Sequence, residues 1–330
     1  MPRHERLDFK DAIHYALVRG RDGSAIFFDA DILRRFPEAP RQYAAHVQRF
    51  ELLLADACTV YGAVLHAYCV GPNSGIMVLR RAGAPLHALM RRLCGRYSRY
   101  LRAIGFFGGS GVFVARYDSK VVAPEYLPHV VRHAHRSPVL AGLCRQAVDY
   151  PFSSARAYAG ELAPIPVAMI DLRNALELEG LSGPRGYREF MNEDETPCVV
   201  NLLSCGSPLD TRVVGDEAFV QIARHRAAHP VVSPNREQLV AGVARLLNKT
   251  PADVFSATHA GALGRSLVAW YGVRSGAATL SAVGRWFSVS AATLGQGIRR
   301  YRSITPELFD RAVLPGLEGG TGDSNRSPSL

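Results

Sequence analysis

Leu65–Leu79 reads LHAYCVGPNSGIMVL, and the fold turns on this stretch. Two apolar runs, Val64–Val70 and Ser74–Leu79, flank Gly71-Pro72-Asn73. Glycine, proline and asparagine are the residues that let a chain reverse, so the spacing predicts two strands across a turn. Side chains two apart on a strand share a face, which puts Ser74 and Ile76 side by side. Upstream, Arg41–Tyr61 carries Tyr43, Val47, Phe50, Leu53, Leu54 and Val60 near helical spacing. Ala12–Leu17 reads as a first strand and Gly20–Gly23 as its loop. Downstream, Pro85–Ala103 reads as a helix with proline at its start. Phe113–Val122 has strand character, and Glu125–Val131 opens another helix with Pro138 near its end. The sum is an α+β arrangement, an antiparallel sheet with packed helices.

The chain has 330 residues, enough for two domains, and is 48% hydrophobic, enough for real cores. A net charge of +10 favours polyanionic partners. The six cysteines form no CxxC pair, as expected of a reduced cytosolic protein. MPRHERLDF at the start has no apolar signal region, and no apolar run approaches the length of a membrane helix. The expected location is the cytoplasm, at the nucleoid.

Four regions are expected: a first domain over 1–163, a connector over 164–230 that includes Gly186–Glu193, a helical domain over 231–312, and a polar, disordered tail over 313–330. In the helical domain, Pro234–Phe255 reads as a helix, a short turn and a new start at Thr250-Pro251. Leu239, Val243, Leu246 and Leu247 give its apolar face. Gly264–Tyr271 follows as a further helix. Leu280–Tyr301, LSAVGRWFSVSAATLGQGIRRY, reads as a helix-turn-helix. Val283, Trp286 and Phe287 form its inner side, Ser288–Ser290 the turn, and Ala291–Tyr301 the second helix. Thr293, Gln296, Arg299 and Arg300 are then the side chains placed to reach DNA, glutamine pairing with adenine and arginine with guanine or phosphate. Gly295 and Gly297 oppose helix stability, and close approach of the backbone to DNA is one reason to keep them.

Several segments, in order, resemble the bacterial HUH-type single-tyrosine transposases associated with repetitive extragenic palindromes. The opening stretch is similar to that family's LHAYCLMPNHYHLLL. Val18–Asp29 (VRGRDGSAIFFD), Cys94–Gly105 (CGRYSRYLRAIG), Val112–Ser119 (VFVARYDS), Tyr126–Leu143 (YLPHVVRHAHRSPVLAGL) and Asp149–Gly160 (DYPFSSARAYAG) each resemble a family segment in turn. Leu280–Tyr301 resembles the family's appended domain, related to the DNA-binding domain of the replication initiator DnaA. The resemblance implies a ferredoxin-like HUH domain whose partner is DNA, as hairpin or duplex. It leaves a homodimer open.

The resemblance also implies where the chemistry would sit. In the family, a His-x-His pair on a strand presents two imidazoles to a divalent ion, and a tyrosine on a nearby helix attacks the phosphorus. Here the two histidines fall on Ser74 and Ile76, the tyrosine on His133, and the polar residue one turn later on Ser137. All four depart from the pattern. The expectation is a domesticated, catalytically inactive relative that regulates by binding DNA, with no metal and no cofactor. The alternative is a DNA-nicking enzyme rebuilt around His129, His133 and His135, with His66 in reach. A third reading is a remnant that mediates protein contacts. Tyr97, Tyr100 and Tyr117 are spare tyrosines with expected structural or stacking roles. For binding, Arg92, Arg96 and Arg99 form a stripe on one predicted helix, beside Arg91 and Arg102. Arg116, Arg19, Arg21 and Lys120 are expected to extend that surface.

Overall fold

The computed structural model describes residues 6–28, 40–105, 111–114, 117–161, 183–194, 196–256, 258–310 and 314. Two compact units, Met1–Val231 and Val232–Leu330, divide the chain.

The first unit is built on β1 (Ile13–Arg19), β2 (Val64–Val70), β3 (Ser74–Arg80), β4 (Asp118–Val122) and β5 (Val213–Val214), in the order β2-β3-β1-β4-β5. β2 and β3 pair antiparallel with Cys69 opposite Ile76 and Val70 opposite Gly75. The turn between them is pinned from both sides. The Gly71 amide donates to the Ser74 carbonyl at 2.7 Å, and the amides of Ile26 and Phe27 donate to the Pro72 carbonyl. A bulge between Leu65 and Ala67 shifts the register once. β3 pairs β1 with Ile76 opposite Leu17 and Ser74 opposite Arg19.

Helices cover both faces of the sheet. α1 (Pro40–Tyr61) and α2 (Leu86–Ala103) pack on the face that carries Val18, Gly75 and Tyr68. The fully buried Phe27, Phe50 and Tyr97 rings meet there at centroid distances of 4.9–5.3 Å. Each buried side chain of this size stabilises by about 1.5–3 kcal/mol. α3 (Leu127–Leu140) lies over the opposite face, which carries Tyr15, Ile76 and Cys69. Pro138 lies near the end of α3, two residues before Leu140, as the sequence suggested.

Asp149–Gly160, with α4 (Ala155–Tyr158), runs along the outer edge of β2. The Val70 amide donates to the Phe152 carbonyl at 2.8 Å, the Ser154 amide to the Tyr68 carbonyl at 3.0 Å, and the Tyr150 hydroxyl to the Val70 carbonyl at 2.6 Å. An uncovered edge would invite pairing with other chains, and this segment closes it.

Three features differ from what the sequence led us to expect. The sheet is mixed rather than purely antiparallel, because β5 joins β4 in parallel. The stretch read as a connector supplies, from Gly183 on, α5 (Gly183–Asn192), α6 (Pro197–Cys205), β5 and α7 (Glu217–Ala228), and all lie within the first unit. Tyr187, Phe190, Leu202, Leu203 and Val214 are buried in its core. The strand expected from Phe113 begins only at Asp118, with Phe113 reduced to an isolated bridge to Gly20. The expected tail lies outside the described residues apart from Leu314.

The second unit is helical: α8 (Arg236–Leu246), α9 (Pro251–Phe255), α10 (His259–Arg274), α11 (Leu280–Phe287), α12 (Ala291–Ile304) and α13 (Pro306–Phe309). Asn235, Thr250, Thr258, Thr279 and Ser290 each accept a backbone amide at a helix start. Such caps contribute about 1 kcal/mol apiece. The core holds Leu239, Val243, Leu267, Trp270, Val283 and Leu294. The Trp270 indole donates to the Phe309 carbonyl and the Tyr271 hydroxyl to the Leu308 carbonyl, which fastens α13 to α10.

Candidate functional site

Ser74 and Ile76 occupy one face of β3, and α3 brings Ser137 and His133 to that same face. Strand register places Cys69 beside Ile76. The Ser137 hydroxyl lies 3.4 Å from the Cys69 sulfur and 2.8 Å from the Ala134 carbonyl. The His133 ring faces Tyr15 at 6.2 Å between centroids. The four positions singled out in the sequence thus belong to one locality, brought there by strand pairing and the packing of α3.

The donors at this locality do not suit a divalent ion. Ile76 has no lone pair to give, and Ser74 offers only a neutral hydroxyl. Cys69 is a soft ligand there, but full burial pushes its thiol up to about 12, which keeps it protonated. Among the described residues, no three His, Cys, Asp or Glu side chains gather as a metal site would need.

The histidines of α3 point into different environments. His135 is completely buried, with Nε2 at 2.7 Å from the Ser154 hydroxyl and Nδ1 at 3.0 Å from the Tyr187 hydroxyl. Burial pulls its pKa down to about 3, so it is a neutral member of the core. His129 lies 3.2 Å from the Arg132 guanidinium and packs on Phe190. His133 turns toward the sheet. The spare tyrosines are also engaged: Tyr97 donates to the Ile26 carbonyl, Tyr100 meets His46 at 3.0 Å, and the Arg6 guanidinium lies 3.8 Å above the Tyr117 ring.

The arginine stripe on α2 divides. Arg92 and Arg96 both bond one carboxylate, Asp56 of α1, the former at 2.9 Å. Arg99 is exposed. Arg19 pairs with Asp118 at 2.5 Å, and Lys120 donates to the Thr211 carbonyl at 2.8 Å. Arg116 lies outside the described residues. Spacing on one helix shows which side chains share a face. It carries no sign of a counter-ion that a different helix brings from 36 residues away.

In the second unit, Ser288–Ser290 joins α11 to α12. Ser288 adopts a left-handed conformation (φ 55°), and the Val289 amide donates to the Gly284 carbonyl at 2.9 Å. A side chain at Gly284 would strike the Val289 carbonyl, so the close turn needs glycine there. Leu294 and Tyr301 face the core, while Thr293, Gln296, Arg299 and Arg300 are exposed. The two glycines of α12 differ. A side chain at Gly297 would collide with Ser266 of α10, so this glycine serves contact between helices. At Gly295 the nearest atom is the Arg299 guanidinium, 3.9 Å away.

No family model matches the chain, and no curated protein does. A solved structure described as "Structure of the REP associates tyrosine transposase bound to a REP hairpin" is similar at 16% identity, with a TM-score of 0.35 over 47% of this chain and 82% of that one. No helix among the described residues is long and apolar enough to cross a membrane.

Proposed function

We propose that the protein binds DNA without cutting it, as a regulator derived from a transposase of the palindrome-associated type. The observation that carries the reading is the exposed row Thr293, Gln296, Arg299 and Arg300 on α12, which follows a tight turn as the second helix of a helix-turn-helix does. Glutamine and arginine in such a row have the donors and acceptors that base edges and phosphates require. A net charge of +10 adds long-range attraction to the polyanion. The donor set around Ile76 supports the absence of cleavage: an aliphatic side chain, a hydroxyl and a protonated thiol stand where an ion would have to be held.

The test has two arms. The full chain titrated with duplex and hairpin DNA across a salt series is expected to bind, with log affinity falling linearly in log salt by about 0.9 per neutralised phosphate on duplex. Incubated with the same hairpin and magnesium or manganese, it is expected to leave the strand intact and form no covalent adduct. A nick and a trapped protein–DNA adduct that disappear in His133→Ala would instead establish an enzyme rebuilt at that residue. No DNA retention even at low salt would defeat the whole reading.

A further inference from the structure

Between α6 and the sheet lies a cavity of about 640 Å³, within the range of small-molecule sites. Strand register builds one wall. Tyr15, Leu17 and Arg19 alternate along one face of β1, with Lys120 of β4 opposite Tyr15 and Asp118 opposite Leu17. The other wall is α6, where Val200, Leu203 and Ser204 are spaced to share a helical face.

Arg19 and Lys120 are the arginine and the lysine among the described lining residues. Arg19 already has its anion, Asp118 at 2.5 Å, so that pair adds no net charge. Lys120 differs. An ammonium has three donors, and this one gives a single bond to the Thr211 carbonyl at 2.8 Å. Among the described residues it forms no ion pair. Burial holds its pKa below the usual lysine value, an effect that Cys205 and Asp118 oppose at longer range. A partly desolvated charge without a bonded counter-ion is one that an anion would relieve. The Ser204 hydroxyl does not compete for it, because it bonds back to the Val200 and Asn201 carbonyls of its own helix at 3.0 Å each.

The rest of the lining narrows the class of anion. Leu17 is half-buried and Val200 is 38% exposed, so both keep aliphatic surface for a ligand to cover. Tyr15 and Leu203 are buried and contribute little. Withdrawing aliphatic surface from water is favourable whatever the ligand's identity. One unmet positive charge beside such surface selects a monoanion with an apolar body. A phosphate monoester carries about 1.5–2 negative charges at neutral pH, more than the cavity balances. A carboxylate carries one, and its two oxygens can accept from the ammonium's remaining donors.

We propose that this cavity binds a small organic monocarboxylate, with its carboxylate on Lys120 and its apolar body against Leu17 and Val200. The inference does not depend on DNA binding by α12, and its test involves no DNA. The full chain, Lys120→Gln, Val200→Glu and the control Arg185→Ala are titrated by calorimetry; the control removes an exposed guanidinium of α5. The ligands are a panel of aromatic and medium-chain aliphatic monocarboxylates, the neutral amide of each, acetate and inorganic phosphate. Melting curves establish which variants are folded at the titration temperature.

At least one carboxylate is expected to saturate a single site below about 1 mM, with its amide at least about tenfold weaker. Lys120→Gln is expected to bring that carboxylate down to the level of its amide and to leave the amide unchanged. A lysine with a purely structural role would weaken both alike. Val200→Glu adds a negative charge and removes aliphatic surface, so it is expected to weaken both ligands, the carboxylate more. Arg185→Ala binds as the full chain does. Should Lys120→Gln fail to fold, the amide comparison and Val200→Glu still decide. The inference is overturned if no carboxylate of the panel saturates, if each binds no better than its amide, if folded Lys120→Gln keeps the preference for carboxylate, if Val200→Glu binds unchanged, or if the control loses as much. Acetate binding as tightly as the larger acids shows an anion held without an apolar subsite. Phosphate binding more tightly than every carboxylate shows a different class of anion. Either result overturns the inference as well.

Discussion

Beneath α3 and along α12 the protein treats polar side chains in opposite ways. Under α3 they turn to one another: Ser137 to the Ala134 carbonyl and Cys69, His135 to Ser154 and Tyr187, all within the first unit. Along α12, Thr293, Gln296, Arg299 and Arg300 are exposed; the Thr293 hydroxyl meets that of Ser290 at 2.8 Å, and the Arg300 guanidinium lies 5.7 Å from the Tyr301 ring. A buried hydrogen-bonded group contributes to stability, and removing its partner strands it at a cost of about 1–3 kcal/mol. A solvated group contributes little until a partner arrives. The contrast is between polar groups committed to the fold in the first region and polar groups left to solvent in the second.

The sharpest way to break that contrast is Arg299→Ala/Arg300→Ala. Each substitution is expected to cost about 1–3 kcal/mol of duplex affinity, with a shallower salt slope, while thermal stability shifts by less than about 0.5 kcal/mol. Anisotropy titrations and melting curves of the same samples check it. A large loss of stability would show that α12 is structural after all.

His135→Phe is the counterpart on the other side. It removes both ring hydrogen bonds and leaves the Ser154 and Tyr187 hydroxyls without that partner, an expected loss of about 2–4 kcal/mol in the first unit. Duplex affinity is expected to hold at a temperature where the protein remains folded. The imidazole also ties stability to acid. Its folded pKa of about 3 lies below the ordinary value of 6.5, so the unfolded chain takes up a proton first. Stability is expected to fall as pH drops from 6.5 toward 3, less steeply in the Phe variant.

Glu51 gives the opposite sign. It is buried against the Tyr68 hydroxyl at 3.0 Å, and burial raises its carboxyl pKa from 4.5 to about 7. Its stabilising contribution is complete below pH 4.5 and is lost as pH rises through about 7. Glu51→Gln is expected to flatten that decline in denaturant titrations between about pH 5 and pH 8. An unchanged pH profile would remove Glu51 as its source.

The smallest effect expected is from Gly297→Ala. Ser266 would have to rotate away from the added methyl, and helix propensity offsets part of the strain. A loss near about 1 kcal/mol with duplex affinity intact would sharpen the assignment of this glycine to helix packing rather than to DNA.

How much of this was legible depends on the range of the interaction. The β2–β3 hairpin could be read because alternation and the Gly-Pro-Asn turn are local. The helix starts at Thr250 and Ser290 could be read because a cap and its amide lie three residues apart. β5 could not: two valines have no periodicity, and only β4, far earlier in the chain, makes them a strand. The same holds for α5 and α6. Their apolar residues read as a connector until the sheet supplied a surface on which to bury them.

By itself the sequence determined that Ile76 brings no lone pair to β3, because no folding of the chain gives an aliphatic group an electron pair to share. It also determined that arginines would crowd one helix. Only the tertiary structure decided which of them stay open. Packing of α1 against α2 delivers Asp56 to Arg92 and Arg96 and leaves Arg91 and Arg102 facing a cleft without a carboxylate among its described lining residues. A charge becomes available to a partner only where the fold has not already placed an opposite charge beside it.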